Sequence, residues 1–163
     1  MPIITDANVL IDYVQSDLSV LEMYGLRIER VVVPASASVL AEVRQLSVAD
    51  CERHGLQVFD EPLDILLAAG EARGPLSFAD HVCLLAAKRL ELVCVTNEKP
   101  LHKACRAAGV NTKWGLTLLL ELVDAGQLAK PVALEILDRI HVSNPMFIHH
   151  GIVSDFRAKL ARL

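Results

Sequence analysis

Three short runs carry no polar alternation: Ile3-Ile4-Thr5, Val31-Val32-Val33 and Leu92-Val93-Cys94-Val95-Thr96. A strand with one face in solvent alternates apolar and polar residues; a strand buried on both faces does not. Between these runs lie stretches of helical period. Val9, Leu10, Tyr13 and Val14 share one side, and Leu18–Leu26 has a similar pattern. Pro34 fits the first turn of a helix whose stripe is Val39, Leu40, Val43 and Leu46. Leu63–Ala72 stops at Gly74-Pro75, and Ser77–Leu90 carries Phe78, Ala79, Val82, Cys83, Ala86 and Leu90. Further helices are expected over Glu98–Ala108 (closed by Gly109), Gly115–Ala125, Pro131–Ile140 and Gly151–Leu163. Weaker strands are expected over Leu56–Phe59 and from Val110. Buried strands alternating with helices predict an α/β fold, with a mostly parallel central sheet covered by helices on both faces.

The length of 163 residues favours one domain. Its core runs over about 1–126, and a C-terminal helical appendix occupies about 127–163. Hydrophobic residues are 53% and aromatic residues 4%, so the core is aliphatic. The net charge of −4 argues against a general basic coat for nucleic acid, but leaves room for a local basic groove. No signal peptide is recognisable, and no run approaches the roughly 18 apolar residues of a membrane span. Cys51, Cys83, Cys94 and Cys105 form no CxxC pair, which suits reduced thiols and a cytoplasmic location.

In open α/β sheets, ligands bind beyond the carboxyl ends of the strands. Asp6 follows the first run; Thr96, Asn97 and Glu98 follow the last. Glu42 lies in the helix after Val33, and Asp80 opens the helix leading into Leu92–Thr96. Acids gathered at one place repel, and a hard divalent cation such as Mg²⁺ or Mn²⁺ relieves them. Such an ion activates water and neutralises a phosphate, which points to phosphodiester hydrolysis. Each acid also has a local reading. Asp6 can cap the following helix, Ser77–Asp80 matches a capping box, Glu42 can face solvent, and Glu98 suits a first turn.

Taken together, these segments resemble the PIN-domain nucleases. Ile3-Ile4-Thr5-Asp6-Ala7-Asn8-Val9-Leu10-Ile11 is similar to that family's opening motif. Val39–Val43 resembles the second motif, Leu76–Asp80 the third and Val93–Leu101 the fourth, while Gly109-Val110 and Trp114–Leu119 resemble the closing segment. The resemblance implies a three-layer PIN-like fold with extra C-terminal helices and a Mg²⁺/Mn²⁺-dependent endoribonuclease. It extends to the toxin of a toxin–antitoxin pair such as VapC. Carried over, Asp6, Glu42 and Asp80 are the metal-binding acids. Asn97 or Glu98 fills a fourth position where the family usually has Asp, and Thr96 positions the nucleophilic water or a metal-bound water. Asp6 and Asp80 would hold the ion directly, with Glu42 direct or through water, and attack on phosphorus would be in line.

Lys99, Lys103 and Arg106 recur at i, i+4 and i+7 beside Glu98, a spacing suited to an RNA backbone or to an ordinary solvated face. Arg44, two residues after Glu42, is a candidate for orienting a phosphate. Expected partners are RNA, an antitoxin protein and a second copy of the chain. A haloacid-dehalogenase phosphatase would need a second Asp where Asn8 stands, and no P-loop or GxSxG motif is present. The departure at Asn97-Glu98 motivates the alternative, a PIN-like module that binds RNA or protein without cutting.

Overall fold

The computed structural model describes residues 1–35 and 39–163. Five strands form one sheet: β1 (Ile3–Thr5), β2 (Val31–Pro34), β3 (Gln57–Phe59), β4 (Val93–Val95) and β5 (Thr112–Lys113). Their order is β3-β2-β1-β4-β5, and every neighbouring pair is parallel. The chain builds β2 and β3 on one side of β1, then crosses over to add β4 and β5. Strand order therefore reverses between β1 and β4. The crevice beyond the carboxyl ends at such a switch point is where this class of sheet binds ligands.

The helices are α1 (Ala7–Ser16), α2 (Ser19–Arg27), α3 (Val39–Glu42), α4 (Val48–Arg53), α5 (Leu63–Glu71), α6 (Phe78–Arg89), α7 (Lys99–Ala107), α8 (Thr117–Asp124), α9 (Lys130–Ser143) and α10 (His150–Arg162). β1 and β4 are buried throughout, as their continuous apolar runs require. Ala133, Ile136, Leu137 and Ile140 of α9 and Phe156 and Leu160 of α10 belong to the same apolar cluster as the sheet. Burying each such Leu or Ile contributes about 1.5–3 kcal/mol. α9 packs on α1, α8 and α10. Among the described residues no helix is long and apolar enough to cross a membrane.

The segment after β2 differs from expectation. Pro34 ends the strand rather than opening a helix. β1 pairs with β2 only as far as Val32, so the missing Pro34 N–H breaks no bond on that side. The expected helix after Pro34 falls partly on residues 36–38, outside the described residues. Val43 and Leu46 are buried, as their stripe predicts. Their amides, however, bond three residues back, to Leu40 and Val43, so the chain turns instead of continuing α3. Ser47 then starts α4, unanticipated from sequence, through a capping box with Asp50: Ser47 N–H donates to the carboxylate at 2.8 Å and Asp50 N–H to Ser47 Oγ at 3.1 Å. The last strand starts two residues later than expected, because Val110 N–H is used to close α7 on Cys105 O at 2.8 Å.

Candidate active site

Asp6 lies at the switch point. Its N–H donates to Val95 O at 3.1 Å, joining the end of β1 to β4. Its Oδ1 accepts from Val9 N–H at 2.8 Å, capping α1. Its Oδ2 accepts the hydroxyl of Thr96, the residue after β4. The helix-cap role and the site role therefore coincide in one carboxylate, which is only 1% exposed. Burial pushes its pKa up, the Thr96 and Val9 donors pull it down, and the Asp80 and Glu98 charges push it up again. The result is about 7 against an ordinary 3.8.

Asp80 is buried at the first turn of α6. Its Oδ2 accepts from Ser77 N–H at 3.1 Å while Ser77 Oγ accepts from Asp80 N–H at 3.1 Å. The capping box suggested by sequence is thus present, and it locks the carboxylate's direction. Glu98 caps α7. Its N–H donates to Thr96 Oγ1 at 3.0 Å, and its carboxylate accepts from Asn8 Nδ2. Burial, then Asp80, then Glu42 push its pKa up, with Asn8 opposing. Glu42 ends α3 with its side chain exposed, and burial and Asp80 raise its pKa.

Asp6, Glu42, Asp80 and Glu98 therefore form one electrostatic set. No cation is among the influences on Asp6, Glu42 or Glu98. Four carboxylate side chains, buried Asp6 among them, are a hard-oxygen donor set of the kind that suits Mg²⁺ or Mn²⁺. Among the described residues, no group of three His, Cys, Asp or Glu side chains is arranged to hold one ion as it stands. Mg²⁺ is commonly bound through one or two carboxylates and retained waters, so a pair such as Asp6 and Asp80 would need no third direct ligand. Two buried atoms without hydrogen-bond partners, Thr5 Oγ1 and His81 Nε2, belong to the sequence neighbours of these two acids.

Asn97 does not join the acids. Its Oδ1 accepts from Gly115 N–H at 3.0 Å, and its Nδ2 donates to Asp12 at 3.0 Å. Both ends of the carboxamide are therefore engaged, by Gly115 and by Asp12. A β-carbon at Gly115 would stand 3.0 Å from that Oδ1, so Gly115 permits the close approach. Lys99, Lys103 and Arg106 are exposed on α7 and line one hollow with His102 and Trp114. Arg44 lies exposed in the turn after α3.

Sequence reasoning overlooked Asp12. It is buried on α1, and its other oxygen accepts from Asn144 Nδ2 at 2.9 Å. Burial raises its pKa to about 6 against the two amide donors. Asp12 thereby ties the segment after α9 to Asn97, the neighbour of Glu98. The available signal was an acid inside the apolar run Leu10-Ile11-Asp12-Tyr13-Val14.

No family model and no curated protein matches the sequence. Among solved structures, the chain is similar to a PilT N-terminus (PIN) domain protein from the hyperthermophilic archaeon Sulfolobus solfataricus P2. The TM-score is 0.51 at 14% identity, covering 79% of this chain and 97% of that one. At that identity the likeness establishes the fold: an α/β, PIN-like arrangement with a five-stranded parallel sheet flanked by helices.

Proposed function

We propose that the chain is a Mg²⁺- or Mn²⁺-dependent endoribonuclease. The observation that carries this reading is the set of mutually repelling carboxylates around buried Asp6, at the sheet's switch point. A bound divalent ion would supply positive charge to the phosphate and acidify its water. Asp6 and Asp80 would hold it, with Glu42 and Glu98 ligating directly or through water. Thr96 fixes the Asp6 carboxylate, and Asn8 fixes Glu98. With Asp6 ionised, the Thr96 hydroxyl proton is committed to Oδ2, which orders both groups for catalysis. Lys99, Lys103 and Arg106 would carry the RNA phosphates beside Glu98.

The test is cleavage of a mixed single-stranded RNA panel with Mn²⁺, Mg²⁺ or EDTA. Metal-dependent cleavage lost in Asp6→Asn and Asp80→Asn supports the reading; no cleavage by folded wild type with either metal defeats it. A toxin role extends the same proposal: expression would arrest growth, Asp6→Asn would not, and an antitoxin would restore it. One observation favours a second reading, a PIN-like module that binds RNA or protein without hydrolysis. Among the described residues no three acids stand ready around one ion. Metal-dependent cleavage would exclude it.

A further inference from the structure

A cavity of about 680 Å³ opens beside Glu98, in the range of small-molecule sites. Its walls come from α8, from α10 and from the segment between α9 and α10. Leu120, Phe156 and Ile152 supply an apolar interior, while Trp114 and Phe147 stand at 44% and 42% exposure and Met146 at 83%. Three large apolar side chains exposed around one hollow mark an interaction site.

The surroundings identify which one. Trp114 lines this cavity and also the neighbouring hollow of Lys99, Lys103 and Arg106. The His102 ring packs against the indole at 3.7 Å between centroids, which supports it from one side. Glu98 belongs both to the cavity's lining and to the acid cluster. A cationic track, an aromatic pair and a carboxylate site thus lie in sequence along one surface. That pattern complements a nucleic acid strand, with phosphates on the cations and a base on the rings. The wall is held in place: Asn144, at the start of the segment bearing Met146 and Phe147, is bonded to buried Asp12 at 2.9 Å.

We propose that this cavity is a base pocket, which takes the unpaired base of the nucleotide adjoining the bond to be cut and stacks it on Trp114 and Phe147. The inference rests on the ribonuclease reading for the nature of the strand, but half of the cavity's lining comes from the C-terminal appendix and only Glu98 from the acid cluster. It makes substrate choice a property of the appendix.

Trp114 is the chain's single tryptophan, so its fluorescence reports on the junction of this pocket with the cationic hollow, and the abasic strand separates the two. A mixed-sequence hexaribonucleotide is titrated in EDTA, beside an abasic oligomer of the same length, with affinities read from anisotropy of a tagged strand. The RNA should quench Trp114 and the abasic oligomer should not. Phe147→Ala should weaken RNA binding about 5- to 150-fold, the range for one lost stack, and leave the abasic oligomer unaffected. Lys103→Ala should weaken both alike. Equal quenching by both oligomers, or unchanged affinity in Phe147→Ala, overturns the pocket. So does a purified chain whose Trp114 is already shielded from acrylamide and whose mass shows a second protein or a second copy seated there. If the same RNA is cut in Mn²⁺ while Trp114 stays silent, the pocket fails and the nuclease stands. If Trp114 responds to the bases but no metal supports cleavage, the nuclease fails and the pocket stands.

Discussion

Replacing Asp6 by Asn should abolish activity and yet stabilise the metal-free protein at neutral pH. The ordinary Asp pKa of 3.8 describes the unfolded chain, and the folded value is about 7. Between these values the unfolded state has lost the proton that the folded state keeps. The folded state therefore binds more protons, and stability falls as pH rises through that window. At about 1.36 kcal/mol per pH unit, the rise is about 4 kcal/mol, fully felt above pH 7. Asn carries none of this. It caps α1 nearly as well as Asp, and its amide faces a Thr96 hydroxyl that can accept as well as donate. The variant should then match wild type near pH 4 and exceed it by about 4 kcal/mol near pH 8, in EDTA. Urea unfolding followed by far-ultraviolet circular dichroism measures both. The Asp12 contribution is common to both proteins and cancels in the difference. Saturating Mg²⁺ should close the gap at pH 8 by stabilising wild type alone. Parallel pH profiles, or an Asn variant weaker than wild type at pH 8, would refute the reasoning.

Other outcomes follow from the same contacts. Asn144→Ala leaves buried Asp12 one donor short and should cost about 1–3 kcal/mol in thermal unfolding, with weaker RNA binding as the Met146–Phe147 wall loosens. Ser77→Ala removes half of the α6 capping box; it should cost about 1 kcal/mol and lower cleavage by releasing Asp80. Divalent ion at a hundredfold excess over its dissociation constant should raise wild-type stability by about 2.7 kcal/mol, and Asp6→Asn/Asp80→Asn should not respond. Leu122→Ala, in the fully buried face of α8, should cost about 2–5 kcal/mol in the same unfolding assay without changing metal binding.

What the sequence made legible was local. The apolar runs at β1, β2 and β4 announced buried parallel strands, and Asp6, Ser77 and Asp80 announced helix starts through capping chemistry that needs only a few neighbours. Arranging those starts around one crevice follows from parallel topology, so the acids could be grouped before their side chains were seen. The hidden parts depend on distance along the chain. Asn97 was a candidate because it stands in a stretch where the resembling family usually has Asp; its partners in the fold, Asp12 and Gly115, lie 85 and 18 residues away. The link from Asp12 to Asn144 spans 132 residues and has no periodic signature. The stripe Val39–Leu46 marked burial correctly but not backbone, since a turn can bury the same two side chains as a helix. The base pocket needed the fold as well, because Trp114 and Phe147 meet only when the appendix packs back against α8.

Whether the strand-end acids hold a divalent ion is tested most directly by titrating Mn²⁺ into the metal-free protein and reading the free ion by electron paramagnetic resonance. Wild type should withdraw Mn²⁺ from solution saturably, with Mg²⁺ displacing it, and Asp6→Asn and Asp80→Asn should each lose that binding while remaining folded. Undiminished Mn²⁺ binding in both variants, or none in wild type, would contradict the assignment of these carboxylates as the metal site.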